Sequence, residues 1–314
     1  MARVVFMGTP EFGVPTLKAL DRHLEVVGVV TQPDRRAGRG RKFVPSPVKE
    51  TALARELPVF QPQTLRSSEA VEHLAAWQAD LIVVAAFGQI LRKTVLELPP
   101  PGCLNVHASL LPRYRGAAPI AAAILAGDQA TGVTIMKMDE GMDTGPILAQ
   151  AEWPITPDDT TGSLTEKLSD LGAELLIEIL PMWLRGEIVA RPQNEAEASY
   201  CRMLRKEDGR LNWSRAASYL DRQVRAYNPW PGAFTTWQGQ HLKILQARPQ
   251  PGWQGAGSPG QVVNTQDGIG AITGQGLLEL QEVQLAGKKS ASGEAFARGQ
   301  RDLIDACLGE EQDG

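Results

Sequence analysis

Asn105 and His107 are the residues of this chain whose types and spacing best suit chemistry. They close an apolar run, and a spacing of two puts both side chains on one face of a strand. An amide and a titratable imidazole would then point at the same small ligand, where they can hold a carbonyl oxygen or exchange a proton. Ser109, Arg113, Tyr114 and Arg115 crowd the segment that follows, at the exit of the strand. A metal reading would pair His107 with Cys103, but residues four apart on a strand stand roughly 13 Å from each other. An acidic partner would come from Asp139, Glu140 or Asp143, in the glycine-flanked stretch Asp139 to Gly145. Spacing does not choose among the three, and a turn-forming aspartate is the plainer reading of such a loop.

A cluster of this kind needs a rigid frame. Short apolar runs at Arg3 to Met7, Glu25 to Val30, Leu81 to Phe87 and Cys103 to Val106 alternate with amphipathic segments at Val14 to Leu20, Pro47 to Glu56 and Ser68 to Gln78. That rhythm predicts an α/β fold with a parallel sheet and crossover helices, in which ligands bind beyond the carboxyl ends of the strands. Ser46-Pro47 supplies an N-cap and a first-turn proline for one helix, and Ser67 or Ser68 with Glu69 opens the next. Gly132 to Met138 and Pro146 to Trp153 read as strands on either side of the Asp139 loop. Leu164, Leu168, Leu171, Leu175, Ile179 and Met182 recur at a helical period over Ser163 to Leu184, with Pro181 weakening the far end. The polar stretch Arg191 to Arg205 suits an exposed interdomain linker.

Beyond it, one helical segment from Ser214 to Tyr227 precedes strand-like runs at Phe234 to Trp237, His241 to Ala247, Gln261 to Asn264, Ile269 to Thr273 and Leu277 to Leu285. A small barrel or sandwich is expected there. The resulting division is a sheet domain over residues 1–190, a linker over 191–207 and a β domain over 208–314. The first turn, Gly8-Thr9-Pro10-Glu11-Phe12-Gly13, is not a phosphate loop: Val14 and Pro15 stand where Lys and Ser or Thr are needed, and the glycine spacing is not that of a dinucleotide fingerprint. No nucleotide cofactor is expected.

Apolar residues make up 43% of the chain and charged residues 22%, a globular balance, and no run approaches the roughly 20 apolar residues that span a bilayer. Met1-Ala2-Arg3 leads into Val4 to Met7 without the basic flank or long apolar core of an export signal, so a cytoplasmic location and no membrane partner are expected. Cys103, Cys201 and Cys307 are too far apart for a disulfide framework or a paired-cysteine zinc site; free thiols and no metal are expected. The formal net charge of −4 argues against a protein that coats nucleic acid by overall charge. Between Asp34 and Lys49, however, six basic residues (Arg35, Arg36, Arg39, Arg41, Lys42, Lys49) interleave with Gly38 and Gly40. Such a loop either grips phosphates or is a solvated surface.

The stretch Asn105 to Pro119, the loop Asp139 to Gly145, the opening Gly8-Thr9-Pro10-Glu11-Phe12 and the segment Gln32-Pro33-Asp34-Arg35 resemble the methionyl-tRNA formyltransferase family. So do Gly38-Arg39-Gly40-Arg41-Lys42, Pro45-Ser46-Pro47-Val48-Lys49, Ala86-Phe87-Gly88, Tyr227-Asn228-Pro229-Trp230-Pro231 and Ala286-Gly287-Lys288-Lys289, so the likeness covers nearly the whole chain. It implies a Rossmann-like, doubly wound, mostly parallel sheet followed by a small β-barrel of OB-fold type. It also implies formyl transfer from 10-formyltetrahydrofolate to the methionine amino group of initiator methionyl-tRNA. The resemblance selects Asp143, and with Asn105 and His107 it would form the catalytic set. Ser109, Leu110, Leu111 and Pro112 would bind the folate, with Ala86, Phe87, Gly88 and Ile90 walling its pteridine. Arg35, Arg36, Arg39, Arg41 and Lys42, with Lys243, Lys288 and Lys289 of the second domain, would meet the tRNA.

The chain departs from the family pattern at Arg36, where proline is common, and at Phe87, where tyrosine is usual. In acyl transfer the attacked carbonyl oxygen gains negative charge, and the Asn105 amide and a charged His107 ring suit the donors that must face it. A monomer is expected, since a long tRNA would lie across both domains. The rivals are a formyltransferase acting on a small amine, such as glycinamide ribonucleotide or a nucleotide-linked amino sugar, a folate-dependent hydrolase, and a non-catalytic RNA-binding protein.

Overall fold

The computed structural model describes residues 1–37 and 42–309; the expected tRNA contacts Arg39 and Arg41 lie outside them, as do the side chains of Arg36 and Lys42. The chain divides into two compact units. One comprises Met1–Pro119, Ala130–Pro154 and Thr165–Cys201, and the other Ile120–Gln129, Ile155–Leu164 and Arg202–Gly314.

The first unit is built on a seven-stranded sheet in the order Ile147–Pro154, Ala130–Lys137, Cys103–His107, Leu81–Ala85, Arg3–Gly8, Glu25–Val30, Val59–Phe60. From Cys103–His107 to Val59–Phe60 neighbouring strands run parallel, while Ala130–Lys137 and Ile147–Pro154 are antiparallel to their neighbours. The apolar runs predict the parallel strands, and the resemblance the Rossmann-like, mostly parallel sheet they form here. Val4 to Met7 and Leu81 to Ala85 are buried along their length, as parallel strands covered on both faces must be. Ser46 caps the helix Pro47–Leu53, its hydroxyl accepting from Lys49 N at 3.1 Å, and Ser67 caps Ser68–Ala76 in the same way.

The long helix Thr161–Leu184 runs through Pro181 without ending there. Its buried positions are Leu164, Leu168, Ser169, Gly172, Ala173, Leu176, Ile179 and Leu180, while Leu171 and Leu175 are only half-buried and Met182 is exposed. The apolar period therefore found the helix and its buried Leu164, Leu168 and Ile179, but not the glycine at the middle of the covered face. A Cβ on Gly172 would lie 2.6 Å from Val106 Cγ1 and 3.2 Å from Val133 Cγ1. Having none, the helix packs its backbone directly against the strand that carries Asn105 and His107.

The second unit holds a six-stranded antiparallel sheet, the small barrel domain, in the order Ala233–Trp237, Gln240–Gln250, Leu277–Leu285, Gly268–Ile272, Val262–Thr265, with Ala291–Ser292 also paired to Leu277–Leu285. Inward positions alternate along Ala233–Trp237, the period expected of a strand with one wet face. Its core joins Trp213, Leu220, Trp237, Leu242, Val262, Leu280, Val283 and Phe296. Trp213 Nε1 donates to Thr235 Oγ1 at 3.1 Å, which satisfies the buried indole. The helix Ala217–Ala226 matches the sequence expectation, whereas Gly293–Gly299, a short helix bounded by glycine at both ends, does not appear in it. Among the described residues no helix is long and apolar enough to cross a membrane.

Candidate active site

Strand pairing places the candidate residues before any side chain is considered. Asn105 lies opposite Val84 on one side and Met136 on the other, and His107 lies opposite Thr134. Loops therefore leave the carboxyl ends of Arg3–Gly8, Leu81–Ala85 and Cys103–His107 side by side, where parallel sheets bind ligands. Asn105 is 8% and His107 6% exposed.

Of the three acids the sequence left open, Asp143 is the one that reaches this strand. Asn105 Nδ2 donates to Asp143 Oδ1 at 3.3 Å, and His107 Nδ1 faces Asp143 Oδ2 at 3.7 Å. Asp139 instead closes its own turn, accepting from Gly141 N at 3.0 Å and Thr144 Oγ1 at 2.7 Å. Asp143 has φ +54°, a left-handed conformation rare for a residue with a side chain. The main-chain N–H of Gly116 meets its Oδ2 at 2.8 Å. One lone pair on each carboxylate oxygen is left over from these two hydrogen bonds.

His107 Nε2 is committed elsewhere. It lies 3.0 Å from the carbonyl oxygen of Tyr114, and a carbonyl only accepts, so Nε2 carries hydrogen. Nδ1 is the nitrogen turned toward Asp143.

The loop that supplies the Tyr114 carbonyl and the Gly116 amide is held by residues that sequence reasoning missed. Arg115 between them is fully buried. Its Nε donates to Gln193 Oε1 at 3.0 Å, its Nη1 to Glu195 Oε2 at 2.9 Å and Tyr200 Oη at 3.0 Å, and its Nη2 to Glu195 Oε1 at 2.6 Å. The Glu195 carboxylate, foremost, raises the guanidinium's pKa above its already high value, and Arg115 in turn holds the Glu195 carboxyl below the usual range. Main-chain bonds reinforce the grip: Arg115 N donates to Ser199 O at 2.8 Å and Ala117 N to Cys201 O at 3.1 Å. Gln193, Glu195 and Tyr200 all come from the stretch read as an exposed linker. Its polar composition was the only available signal, and it looks the same in a linker as in a segment that binds a buried arginine.

The folate segment is partly turned inward. Ser109 is fully buried, its hydroxyl donating to Arg113 O at 2.6 Å, and Leu111 packs with Met136 and Ile147. Leu110 and Pro112 are half-buried. In the neighbouring loop the Phe87 ring joins the core of the first unit, while Ala86, Gly88 and Ile90 are exposed. A tyrosine hydroxyl at position 87 would therefore enter the core, and the loop presents its main chain and Ala86, Gly88 and Ile90 instead of a ring. Phe87 O accepts from Thr9 Oγ1 at 3.2 Å and Gln32 Nε2 at 2.9 Å. This gives the opening Gly8-Thr9-Pro10 segment a structural task, in keeping with its failure to match a phosphate loop.

Arg35–Ala37 and Lys42–Val44 pair as an antiparallel hairpin at the base of the basic stretch. Arg35 is exposed, and its guanidinium donates to Gln32 Oε1. Lys49 is not part of a free basic surface: its ammonium contacts Asp34 Oδ2 at 2.7 Å, and this bond, with one from Gln61, holds the Asp34 carboxyl below its ordinary range. In the second unit Lys243, Lys288 and Lys289 are exposed. Cys103 is a buried free thiol, pushed up to about 12 by burial, and Cys201 a half-buried one also raised by burial.

The formyl transferase family model matches residues 2–180, and the model for formyl transferase, C-terminal domain, matches residues 203–301. A methionyl-tRNA formyltransferase of Chloroflexus aggregans is 52% identical over 95% of this chain and 97% of its own length. One from Marinobacter nauticus is 47% identical over 92% of this chain and 94% of its own. Among solved structures, an N-formyltransferase from Helicobacter canadensis, in complex with folinic acid and dTDP-3-aminofucose, covers 91% of this chain and 99% of its own with a TM-score of 0.65 at 18% identity, a likeness of fold. With both family modules matched and about half the residues shared with these relatives along nearly their whole length, the chain belongs to the methionyl-tRNA formyltransferase family.

Proposed function

We propose that the chain transfers the formyl group of 10-formyltetrahydrofolate to the amino group of methionine on initiator methionyl-tRNA. The observation that carries this reading is the meeting of Asn105, His107 and Asp143 at the carboxyl ends of the parallel strands, in a chain with both formyl transferase modules. The neutral amine attacks the formyl carbon and the carbonyl electrons move to oxygen. Asn105 Nδ2, which has a second N–H, and His107 through Nδ1–H are the donors for that oxygen, a preorganised pair that acts where charge develops. Asp143 takes the amine's proton on an oxygen lone pair not used by Asn105 or Gly116. Collapse of the tetrahedral intermediate expels the tetrahydrofolate nitrogen, which takes a proton as it leaves, so the carboxylate is regenerated.

Leu110, Pro112, Ala86, Gly88 and Ile90 form the folate wall in this reading, with Ser109, Leu111 and Phe87 supporting it from inside. Arg35, Arg36, Arg39, Arg41, Lys42, Lys243, Lys288 and Lys289 face the tRNA. Residues 1–190 act as the catalytic domain and 208–314 as the tRNA-binding domain, in a cytoplasmic monomer.

The test is transfer of labelled formyl from 10-formyltetrahydrofolate to charged initiator tRNA, with glycinamide ribonucleotide and water offered as alternative acceptors. His107→Ala and Asp143→Ala should each lower kcat by about a hundredfold or more, as loss of an oxyanion donor or general base does, while tRNA affinity stays near that of the wild type. Near-normal turnover in either variant removes it from the mechanism. Preferential transfer to the ribonucleotide moves the reading to the small-amine enzymes.

A further inference from the structure

The geometry points to Gln193 as a positioning residue that sets Asp143 against His107, an assignment that rests on the formyl-transfer reading for its kinetic consequence but not for its structural one. Every polar atom of this side-chain amide is used. Nε2 donates to Asp143 O and to Gly145 O, each at 2.7 Å, and Oε1 accepts from Arg115 Nε at 3.0 Å. The orientation of the amide is fixed as a result: turned over, Oε1 would face two carbonyls and the NH2 would face a guanidinium.

These bonds close a ring. Asp143 Oδ2 accepts from Gly116 N, Gly116 follows Arg115, the Arg115 side chain donates to Gln193, and Gln193 donates back to the main chain of Asp143. On the other side of Arg115, the Tyr114 carbonyl accepts from His107 Nε2. The two reacting groups are thus referenced to one buried arginine: the imidazole through the residue before it, the carboxylate through the residue after it and through Gln193. Asp143 and Gly145 also lie in a loop under local constraint. Asp143 has φ +54°, and a Cβ on Gly145 would lie 1.9 Å from Lys137 O. A left-handed non-glycine residue persists only where surrounding bonds over-determine it, and the two bonds from Gln193 supply part of that restraint.

Gln193→Leu removes all three bonds at nearly constant size. Gln193→Glu keeps an acceptor for Arg115 and loses both donors to the Asp143 loop. In the transfer assay both variants should lower kcat by about 10- to 100-fold, the usual range for loss of a group that orients a reacting residue. KM for the folate and for the tRNA should stay within about twofold of the wild type on the same grounds, and the melting temperature should not follow the kcat loss. Crystal structures of the two variants and the wild type give a readout independent of turnover: Asp143 should leave the left-handed region, or its Oδ2 should part from Gly116 N. Unchanged Asp143 geometry overturns the assignment, as does a Gln193→Glu enzyme with wild-type kcat, or a kcat loss matched by equal changes in KM and melting temperature. A wild-type enzyme that transfers no formyl group to the tRNA overturns the proposed function instead, and the crystallographic comparison still decides the role of Gln193.

Discussion

His107 has two ring nitrogens with separate tasks, and the division depends on the Tyr114 carbonyl and so on the pairing of Arg115 with Glu195. That pair gives a pH-dependent prediction. The Glu195 carboxyl is held below its ordinary value of 4.5 by the Arg115 hydrogen bond. A carboxylate with a depressed folded-state pKa contributes stability that is fully present above its unfolded pKa and lost as pH falls through the folded value. Glu195→Gln should therefore be less stable than wild type at neutral pH, where it leaves a fully buried arginine without its anion. The difference in urea unfolding midpoint should begin to shrink as pH falls below about 4.5 and should vanish only below the depressed folded-state value. Parallel midpoint curves from neutral to acid pH would mean that the exposed side of Glu195 screens the pair completely. Asn105 and His107 were legible in the sequence because their relation is local, two positions on one strand. Spacing narrowed the acid only to a loop of three and the family resemblance chose Asp143, while Gln193 and Glu195 were not legible, because 78 and 80 residues separate them from Arg115 and no local period connects them.

The helix Thr161–Leu184 and the strand Cys103–His107 meet at Gly172, and the contact decides the sign of a mutation that helix propensity alone would get wrong. In an exposed helix interior, glycine to alanine gains up to about 1 kcal/mol. At Gly172 the added Cβ would stand 2.6 Å from Val106 Cγ1, and overpacking of this kind costs about 1–3 kcal/mol. Gly172→Ala should accordingly lower the melting temperature. Because Val106 lies between Asn105 and His107, it should lower kcat as well. A raised melting temperature would show that the helix shifts freely over the strand. At this scale the parallel strands were legible because they are covered on both faces and so read as continuous apolar runs, and the helices because serine caps announce them. The segment Arg191 to Cys201 was not: its Tyr200–Cys201 pairs with Arg115–Gly116 and its side chains bind polar groups, so no apolar stripe marks it as packed.

For the whole molecule, a net charge of −4 and a polyanionic partner are compatible only if positive charge is concentrated locally. The second unit offers exposed lysines, Lys243, Lys288 and Lys289. His241 stacks on Phe234 at 4.3 Å between ring centroids, and its pKa is lowered first by burial and then by Lys243 and Lys206. Ala286 N, in the turn that carries Lys288 and Lys289, donates to His241 O at 2.9 Å. If this surface meets phosphates, each contact releases condensed counterions, and the slope of log affinity against log salt should fall in magnitude by about 0.7–0.9 for each lysine removed. Lys243→Ala and Lys288→Ala should then weaken tRNA binding most at low salt, nearly additively, while kcat at saturating tRNA stays at the wild-type level. Filter binding of charged initiator tRNA across a salt series measures this directly. A slope unchanged in the double variant would assign these lysines to the solvated surface and leave the hairpin stretch around Arg35 as the source of phosphate contacts.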